Sequence, residues 1–267
     1  MSKLKIGITE RGDAGCNLSW FNKLKNDPTI SGAILVTKSC DNSMFIPALH
    51  DISQIKPIIL HATITGWGGT KMEPNVHNPV KVMESIRNMI DFNQFPAKNI
   101  VLRVDPIIPT TEGLMHAIAV LEQSKQFIPD VTRIRMSIYD DYHTARDEMM
   151  RRGYPPIDNM TKWKNEKERR PSQSTIDIVA QSIIAARPNT IFECCAEPEL
   201  VQAYPDHFTA TGCCSAKDLE IMNLPVPDVT SVNGQNRFGC LCLTAKTELL
   251  TQKARCANNC AYCYWGK

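Results

Sequence analysis

The chain has 267 residues, of which 43% are hydrophobic, so it is long enough for one large domain with an ordinary buried core. Its formal net charge of +2 is close to neutral and does not resemble the charge of a dedicated DNA-binding protein. No apolar run reaches the roughly 18 residues of a membrane span and no signal peptide is recognisable, so we expect a cytoplasmic protein without membrane contact.

Short β-type segments alternate with helical segments over most of the chain. The predicted strands are residues 5–9, 31–39, 57–66, 99–109, 131–139 and 190–197. The predicted helices are residues 17–25, 44–54, 79–92, 112–127, 144–152 and 175–186. This alternation predicts an α/β fold with a parallel sheet, and six repeats favour a partial (β/α)6 TIM-like barrel.

The alternation is interrupted once and then fades. Residues 153–174 are rich in proline and charge, and this insertion is either a lid or a solvated loop. After residue 199 the repeat is lost, so we expect a barrel domain of residues 1–199 and a cysteine-rich C-terminal annex of residues 200–267. The insertion gives one weak indication of nucleic-acid binding, a basic and aromatic group formed by Lys162, Trp163, Lys164, Arg169 and Arg170.

The cysteines carry the strongest functional signal. The chain has 11 of them, an odd number, and with no export signal this argues against a disulfide framework and for metal ligation. Cys256, Cys260 and Cys263 form a C-x3-C-x2-C motif. Three such thiolates can hold three irons of a 4Fe–4S cubane and leave the fourth iron open to an outside ligand. Zinc is less favoured because its sites usually combine paired C-x2-C units, and buried free thiols are a third interpretation.

This motif, with the aromatic Tyr262 just before its last cysteine, resembles the cluster-binding loop of the radical S-adenosylmethionine (SAM) superfamily. The resemblance implies that SAM chelates the open iron, that a reduced flavodoxin- or ferredoxin-type donor supplies an electron, and that a 5′-deoxyadenosyl radical then attacks the substrate. It also implies oxygen sensitivity, a (β/α)6 barrel, and a position near the adenine for Tyr262.

The position of the motif departs from that superfamily. Most members carry the loop after their first strand, whereas here it follows the last predicted element. The chain resembles an uncharacterised bacterial and phage family with the same rearrangement, so the resemblance implies an architecture and a cofactor but no substrate. Four further cysteines match that family and imply either an auxiliary 4Fe–4S cluster or a zinc site, with the neighbouring Cys194 and Cys213 as alternative ligands. These four are Cys195, Cys214, Cys240 and Cys242.

Candidate SAM contacts follow the third and fourth strands. Gly66 and Gly68 either bring the backbone close to the SAM amino group or are plain turn residues. Arg103 and Asp105 alternate along a strand and therefore face the same side. Arg103 could bind the SAM carboxylate or an anionic substrate, with Asp105 orienting it or binding ribose, and a structural ion pair is the competing interpretation.

Arg11 and Asp13 follow the first strand and offer the same chemistry at a neighbouring strand end. Taken together, the sequence predicts a radical SAM-type enzyme with an unidentified substrate, for which a nucleotide or nucleic acid is one candidate. A non-catalytic iron–sulfur protein for electron transfer or redox sensing is an alternative, as is a zinc-stapled binding protein.

Overall fold

A computed structural model of the protein describes residues 4–162, 168–226, 240–243, 246–250 and 256–263. Its strands are β1 (Ile6–Ile8), β2 (Gly32–Thr37), β3 (Ile58–Thr63), β4 (Ile100–Ile107), β5 (Arg133–Ile138), β6 (Asp141–Tyr142), β7 (Met160–Lys162), β8 (Glu168–Pro171), β9 (Phe192–Cys194), β10 (Phe208–Ala210) and β11 (Lys246–Glu248). Its α-helices are α1 (Ser19–Asn26), α2 (Phe45–Ser53), α3 (Pro79–Asp91), α4 (Thr111–Phe127), α5 (His143–Arg151), α6 (Gln173–Ala186), α7 (Pro198–Ala203) and α8 (Ala216–Ile221).

Eight of the strands form one sheet in the order β10-β9-β5-β4-β3-β2-β1-β11, and every pairing in it is parallel. The six strands expected from the sequence are all present in this sheet, and the α/β class is confirmed. The buried runs of branched aliphatic residues in β2, β3 and β4 explain this, because a strand of a parallel sheet is covered on both faces.

The sheet is open and larger than the expected six-stranded barrel. Its two edges are β10 and β11, both from the segment that the sequence assigned to a separate annex. Each has only three residues, and β11 reads Lys-Thr-Glu, so neither carries the apolar pattern that reveals a strand. In register, Ile6 of β1 pairs with Lys246 of β11 on one side and with Gly32 of β2 on the other.

One face of the sheet is covered by helices α1, α2, α3, α4 and α6, which bury their apolar sides against it. Side-chain caps fix where three of these helices begin. Asn78, Thr110 and Ser172 each accept a hydrogen bond from an amide in the first turn of α3, α4 and α6. The caps and the apolar faces together hold the sheet against its helical layer.

The other face is closed at the N-terminal ends of the strands by α8. Leu219 and Met222 pack there with aliphatic side chains such as Ile34 and Ile59, and Leu224 lies against Gly32 at the start of β2. The C-terminal ends of the strands are left to the connecting loops. No helix in the described ranges combines the length and the apolar composition that crossing a bilayer requires.

Candidate metal centre

Residues 256–263, called the cysteine loop below, lie against the connection that follows β3. The amide of Ala261 donates a hydrogen bond to the carbonyl oxygen of Met72 at 2.8 Å, and the Asn75 side chain donates to the Ala257 carbonyl oxygen at 2.7 Å. The loop is therefore held at the C-terminal ends of the strands, where open parallel sheets place their ligand sites.

Asp13, just after β1, is one of the residues that hold the cysteine loop. Its Oδ2 atom accepts hydrogen bonds from the Lys38 amide at 2.7 Å and from the Asn258 side chain at 2.6 Å. Its Oδ1 atom accepts three more, from the amides of Gly15 and Cys16 and the hydroxyl of Thr37. A carboxylate offers roughly four lone-pair sites, so the protein itself fills the acceptor sites of Asp13. Its observed role is to position the loop.

Asn258 is buried at the centre of the cysteine loop and carries the link to β1 and β2. Its Oδ1 atom accepts hydrogen bonds from the Ser39 hydroxyl at 3.0 Å and from the Cys16 thiol at 3.3 Å. Burial, with a further contribution from the charge of Asp13, raises the pKa of Cys16 to about 12. Cys16 therefore stays a neutral thiol beside the loop, a contact that sequence spacing does not reveal.

Tyr262 is buried beneath the cysteine loop and belongs to an apolar cluster that includes Trp67 and Met72. Its hydroxyl donates a hydrogen bond to the carboxylate of Glu73, which also forms an ion pair with Lys38 at 3.0 Å. The Lys38 ammonium lies 5.4 Å from the centre of the Tyr262 ring. Burial raises the pKa of Tyr262, and the adjacent carboxylate raises it further.

Lys38 places a buried positive charge beside the cysteine loop. Burial alone would lower the pKa of Lys38, but the charges of Glu73 and Cys260 outweigh it and the pKa is raised. The ammonium in turn opposes the effect of burial on the Cys260 thiol. A cation in this position offsets part of the negative charge that metal-bound thiolates would bring.

The three thiols of the loop differ in exposure. Cys260 is buried, Cys256 is half-buried and Cys263 is exposed. Burial raises the pKa of Cys256 to about 11 and that of Cys260 further. Asn259 takes a left-handed conformation with φ +51°, which asparagine tolerates better than most residues and which turns the chain between the cysteines.

Gly66 and Gly68 are required by contacts within the protein. A Cβ atom on Gly68 would lie 1.9 Å from the carbonyl oxygen of His77, and one on Gly66 would lie 2.7 Å from the Cβ of His116. Both glycines therefore allow two stretches of this chain to approach closely. Gly69 differs, because it has φ +82° and open space in front of its α carbon.

Arg103 and Asp105 on β4 contact each other, as their alternation predicts. An Nη2 atom of Arg103 pairs with Asp105, whose other oxygen accepts a hydrogen bond from the Ser137 hydroxyl. The Nε atom of Arg103 is buried without a hydrogen-bond partner among the described residues. Arg11 is exposed, and its amide donates to Glu248 of β11 at 3.0 Å.

A buried ion network lies on β5 and β9, which sequence reasoning did not identify. Arg133 and Arg135 both donate to Glu193, at distances from 2.5 to 3.1 Å. Arg133 also donates to Asp218 of α8 at 2.8 Å, so the network ties the sheet to the helix that closes its N-terminal end. The alternation of arginine in β5 was the available signal. Burial, and then the charge of Arg135, lowers the pKa of His61, which stays neutral beside this network.

A second group of cysteines forms away from the loop. The Sγ atoms of Cys195 and Cys213 lie 3.5 Å apart, and the Cys213 amide donates to the Cys242 sulfur at 3.1 Å. Hydrogen bonds from Cys242 outweigh burial and lower the pKa of Cys240 to about 7. Cys214 is buried in the apolar cluster with Ile8 and Leu219, and its neighbour Cys213, the alternative ligand, packs against that cluster and lies beside Cys195. Among the described residues, none of the cysteines is in a disulfide.

Strands β7 and β8 of the insertion form a small antiparallel sheet with β6, in the order β6-β8-β7. Arg170 of β8 turns toward the main sheet, where it contacts Asp140 at 3.3 Å, Glu199 at 3.4 Å and the Ala196 carbonyl oxygen at 3.1 Å. Acidic neighbours thus offset the charge of Arg170. Trp163 and Lys164, two of the five residues of the expected basic and aromatic group, lie outside the described residues.

Comparison with known families gives one match. The family defined by a domain of unknown function, DUF1848, matches residues 18–265. No curated protein matches the chain. The match covers nearly the whole chain, including the cysteine loop and every strand of the main sheet except β1. The chain therefore belongs to the DUF1848 family.

Proposed function

We propose that the protein is a radical SAM enzyme in which Cys256, Cys260 and Cys263 hold a 4Fe–4S cluster at the C-terminal ends of a parallel sheet. The observation that carries the proposal is the position of the cysteine loop. It follows β11, an edge strand that pairs in parallel with β1, and it is anchored to residues after β1, β2 and β3.

The order of the strands supports the proposal despite the unusual place of the motif in the chain. Starting from β11, the sheet runs β11-β1-β2-β3-β4-β5 without interruption. The cysteine loop thus follows the edge strand that begins this series, which is the place that the resemblance assigns to a first strand. The chain order is rotated by one unit while the spatial order is kept. On this basis we also propose that the sheet is a partial barrel of the radical SAM kind.

The residues around the loop suit a cluster. A cubane puts each thiolate on a different iron, so the three sulfurs need not converge on one point. Among the described residues, the group whose ligand atoms all lie within 4.8 Å is Glu10, Cys213 and Cys242, and it contains no cysteine of the loop. Lys38 offsets negative charge beside Cys260, and Tyr262 with its apolar neighbours excludes water from the sheet side.

Arg103 and Gly69 are the best-placed contacts for SAM outside the loop. The buried Nε atom of Arg103 has no hydrogen-bond partner among the described residues, and a carboxylate would supply one. Gly69 leaves room for a ligand to approach the backbone, which Gly66 and Gly68 do not. When bound, the cluster and SAM would supply one-electron chemistry, in which reductive cleavage of SAM precedes removal of a hydrogen atom from the substrate.

The decisive experiment uses anaerobically reconstituted full-length protein. We expect iron and acid-labile sulfide in cluster stoichiometry, a change in the electron paramagnetic resonance spectrum when SAM is added, and 5′-deoxyadenosine after reduction by a flavodoxin or ferredoxin. Replacing any cysteine of the loop by alanine should abolish all three. The matched control is Cys40→Ala, a buried cysteine of the apolar core in the turn between β2 and α2, which should leave them unchanged.

Two outcomes would contradict the proposal. A cluster whose electron paramagnetic resonance spectrum does not change when SAM is added would indicate an electron-transfer or redox-sensing protein. Zinc without iron in anaerobically purified protein would indicate a binding protein whose C-terminal part is held together by structural zinc. The substrate stays a separate question, and the acidic partners of Arg170 weaken the case for nucleic acid at the insertion.

A further inference from the structure

The second group of cysteines comes from three separate segments, and the proposed function does not use it. Cys195 follows β9, Cys213 follows β10, and Cys240 and Cys242 precede β11. We call these four the seam cysteines, because β10 and β11 are the two edges of the open sheet. Three of the four side chains are buried and Cys213 is half-buried.

The seam cysteines lie where the loop that follows β10 contacts the segment that precedes β11. The amide of Leu243 donates to the carbonyl oxygen of Cys214 at 3.0 Å, and Gly212 is packed so tightly that a Cβ atom on it would lie 2.6 Å from the carbonyl oxygen of Leu241. Residues 240–243 therefore run alongside the loop that follows β10. From there the chain enters β11 on the opposite edge.

Two of the sulfur–sulfur separations suit a single metal ion. Four thiolates around one zinc at about 2.3 Å place neighbouring sulfurs about 3.8 Å apart. The sulfurs of Cys195 and Cys213 are 3.5 Å apart, and those of Cys213 and Cys242 lie within 4.8 Å of each other. A cubane would spread its thiolates over separate irons, so close contacts between sulfurs favour one ion over a cluster.

The backbone directs these thiols toward one another. Cys240 and Cys242 are separated by one residue, so on an extended chain both point to the same side. Their burial fits this arrangement, because both are buried while Leu241 between them is exposed. Ala196, next to Cys195, is held in a left-handed conformation with φ +61°, which is unfavourable for a residue other than glycine. Its surroundings therefore fix the backbone beside Cys195.

The charges around the group are also suitable. Lys246 lies close to Cys242 and Cys213 and would offset the negative charge of a site with four thiolates. Glu10 lies within 4.8 Å of both sulfurs, but Lys246 holds its two carboxylate oxygens at 2.9 and 3.0 Å. Glu10 is thus paired with the lysine, and the fourth ligand position falls to a cysteine.

We propose that Cys195, Cys213, Cys240 and Cys242 bind one structural zinc ion that joins the two edges of the sheet. Binding displaces the thiol protons and crosslinks the ends of β9 and β10 to the segment that enters β11. The ion would therefore hold β11, and through it the cysteine loop, in place. The site is independent of the cluster, and the protein needs no redox change to form it.

The test uses a full-length variant in which Cys256, Cys260 and Cys263 are replaced by alanine, so that the proposed cluster site is absent. We expect about one tightly bound zinc per chain, and after exchange for cobalt the absorption bands of a tetrahedral thiolate site. Adding Cys213→Ser should abolish stoichiometric binding and lower the melting temperature. The matched control is Cys214→Ser, the adjacent thiol in the apolar cluster, which should keep the metal.

Three results would overturn the proposal. The first is loss of zinc in Cys214→Ser with retention in Cys213→Ser. The second is iron with acid-labile sulfide in the variant that lacks the loop cysteines, which would indicate a cluster. The third is loss of zinc in Glu10→Gln with retention in Cys240→Ser, which would give the fourth position to the carboxylate. If Cys213→Ser does not fold, the zinc content and cobalt spectrum of its parent variant still decide between zinc, a cluster and no metal.

Discussion

Replacing Asp13 by asparagine tests whether this carboxylate anchors the cysteine loop. The substitution keeps the size and shape of the side chain but exchanges one acceptor oxygen for an NH2 group. Each oxygen of Asp13 faces at least two donors, so the new NH2 group must meet hydrogen-bond donors whichever way it turns. The less disruptive orientation places it where Oδ2 was, opposite the amide of Lys38 and the side chain of Asn258.

The expected loss follows from those two contacts. Each leaves a buried N–H group without its acceptor, which costs about 1–3 kcal/mol, so the unfolding free energy should fall by about 2–6 kcal/mol. Because one of the two contacts is the link to Asn258, part of the loss should disappear in an Asn258→Ala background. The cysteine loop should also become harder to load with iron.

Urea unfolding of the metal-free protein measures the first effect, and iron content after anaerobic reconstitution measures the second. The matched control is Asp27→Asn, which also removes a carboxylate that accepts bonds from the residue two positions on, but at an exposed site. It should change stability far less and leave iron loading unchanged. Equal stability and equal iron content for Asp13→Asn and Asp27→Asn would refute the anchoring role.

Two further predictions concern the close backbone contact and the ion network. Gly68→Ala should lower the melting temperature more than Gly69→Ala, because a Cβ atom at position 68 would meet the His77 carbonyl oxygen. Position 69 faces open space, so a Cβ atom there adds only backbone strain. The reverse order of melting temperatures would contradict the close contact at Gly68. Burial opposes ionisation of Glu193, but Arg133 and Arg135 outweigh it and lower the pKa of Glu193 from 4.5 to about 2. The carboxylate therefore contributes about 3 kcal/mol above pH 4.5, lost as the pH falls toward 2. Glu193→Gln should remove that part of the acid dependence of the unfolding free energy, and identical pH profiles for the two proteins would show that the pairing is not coupled to folding.

Local sequence patterns predicted most of the sheet. The six predicted strands have apolar runs, and alternation on β4 predicted the contact between Arg103 and Asp105. The edge strands were missed because three polar or mixed residues carry no periodic signal. The contact of Asp13 with Asn258 joins residues 245 positions apart, and no local pattern indicates it.

The choice between adjacent cysteines was equally inaccessible from sequence. Neighbouring residues on an extended segment face opposite sides, so only one of Cys213 and Cys214 can lie beside Cys195, and in the structure it is Cys213. Which one does so depends on how β10 meets residues 240–243, and that is a property of the whole sheet.

The late position of β11 in the chain has a consequence for biogenesis. Domains fold progressively as the chain leaves the ribosome, N-terminal parts first. The strands from β1 to β10 can pair before β11 is synthesised, and the cysteine loop emerges after β11. If the loop binds a cluster as proposed, metal insertion there therefore follows the synthesis of strands β1 to β11.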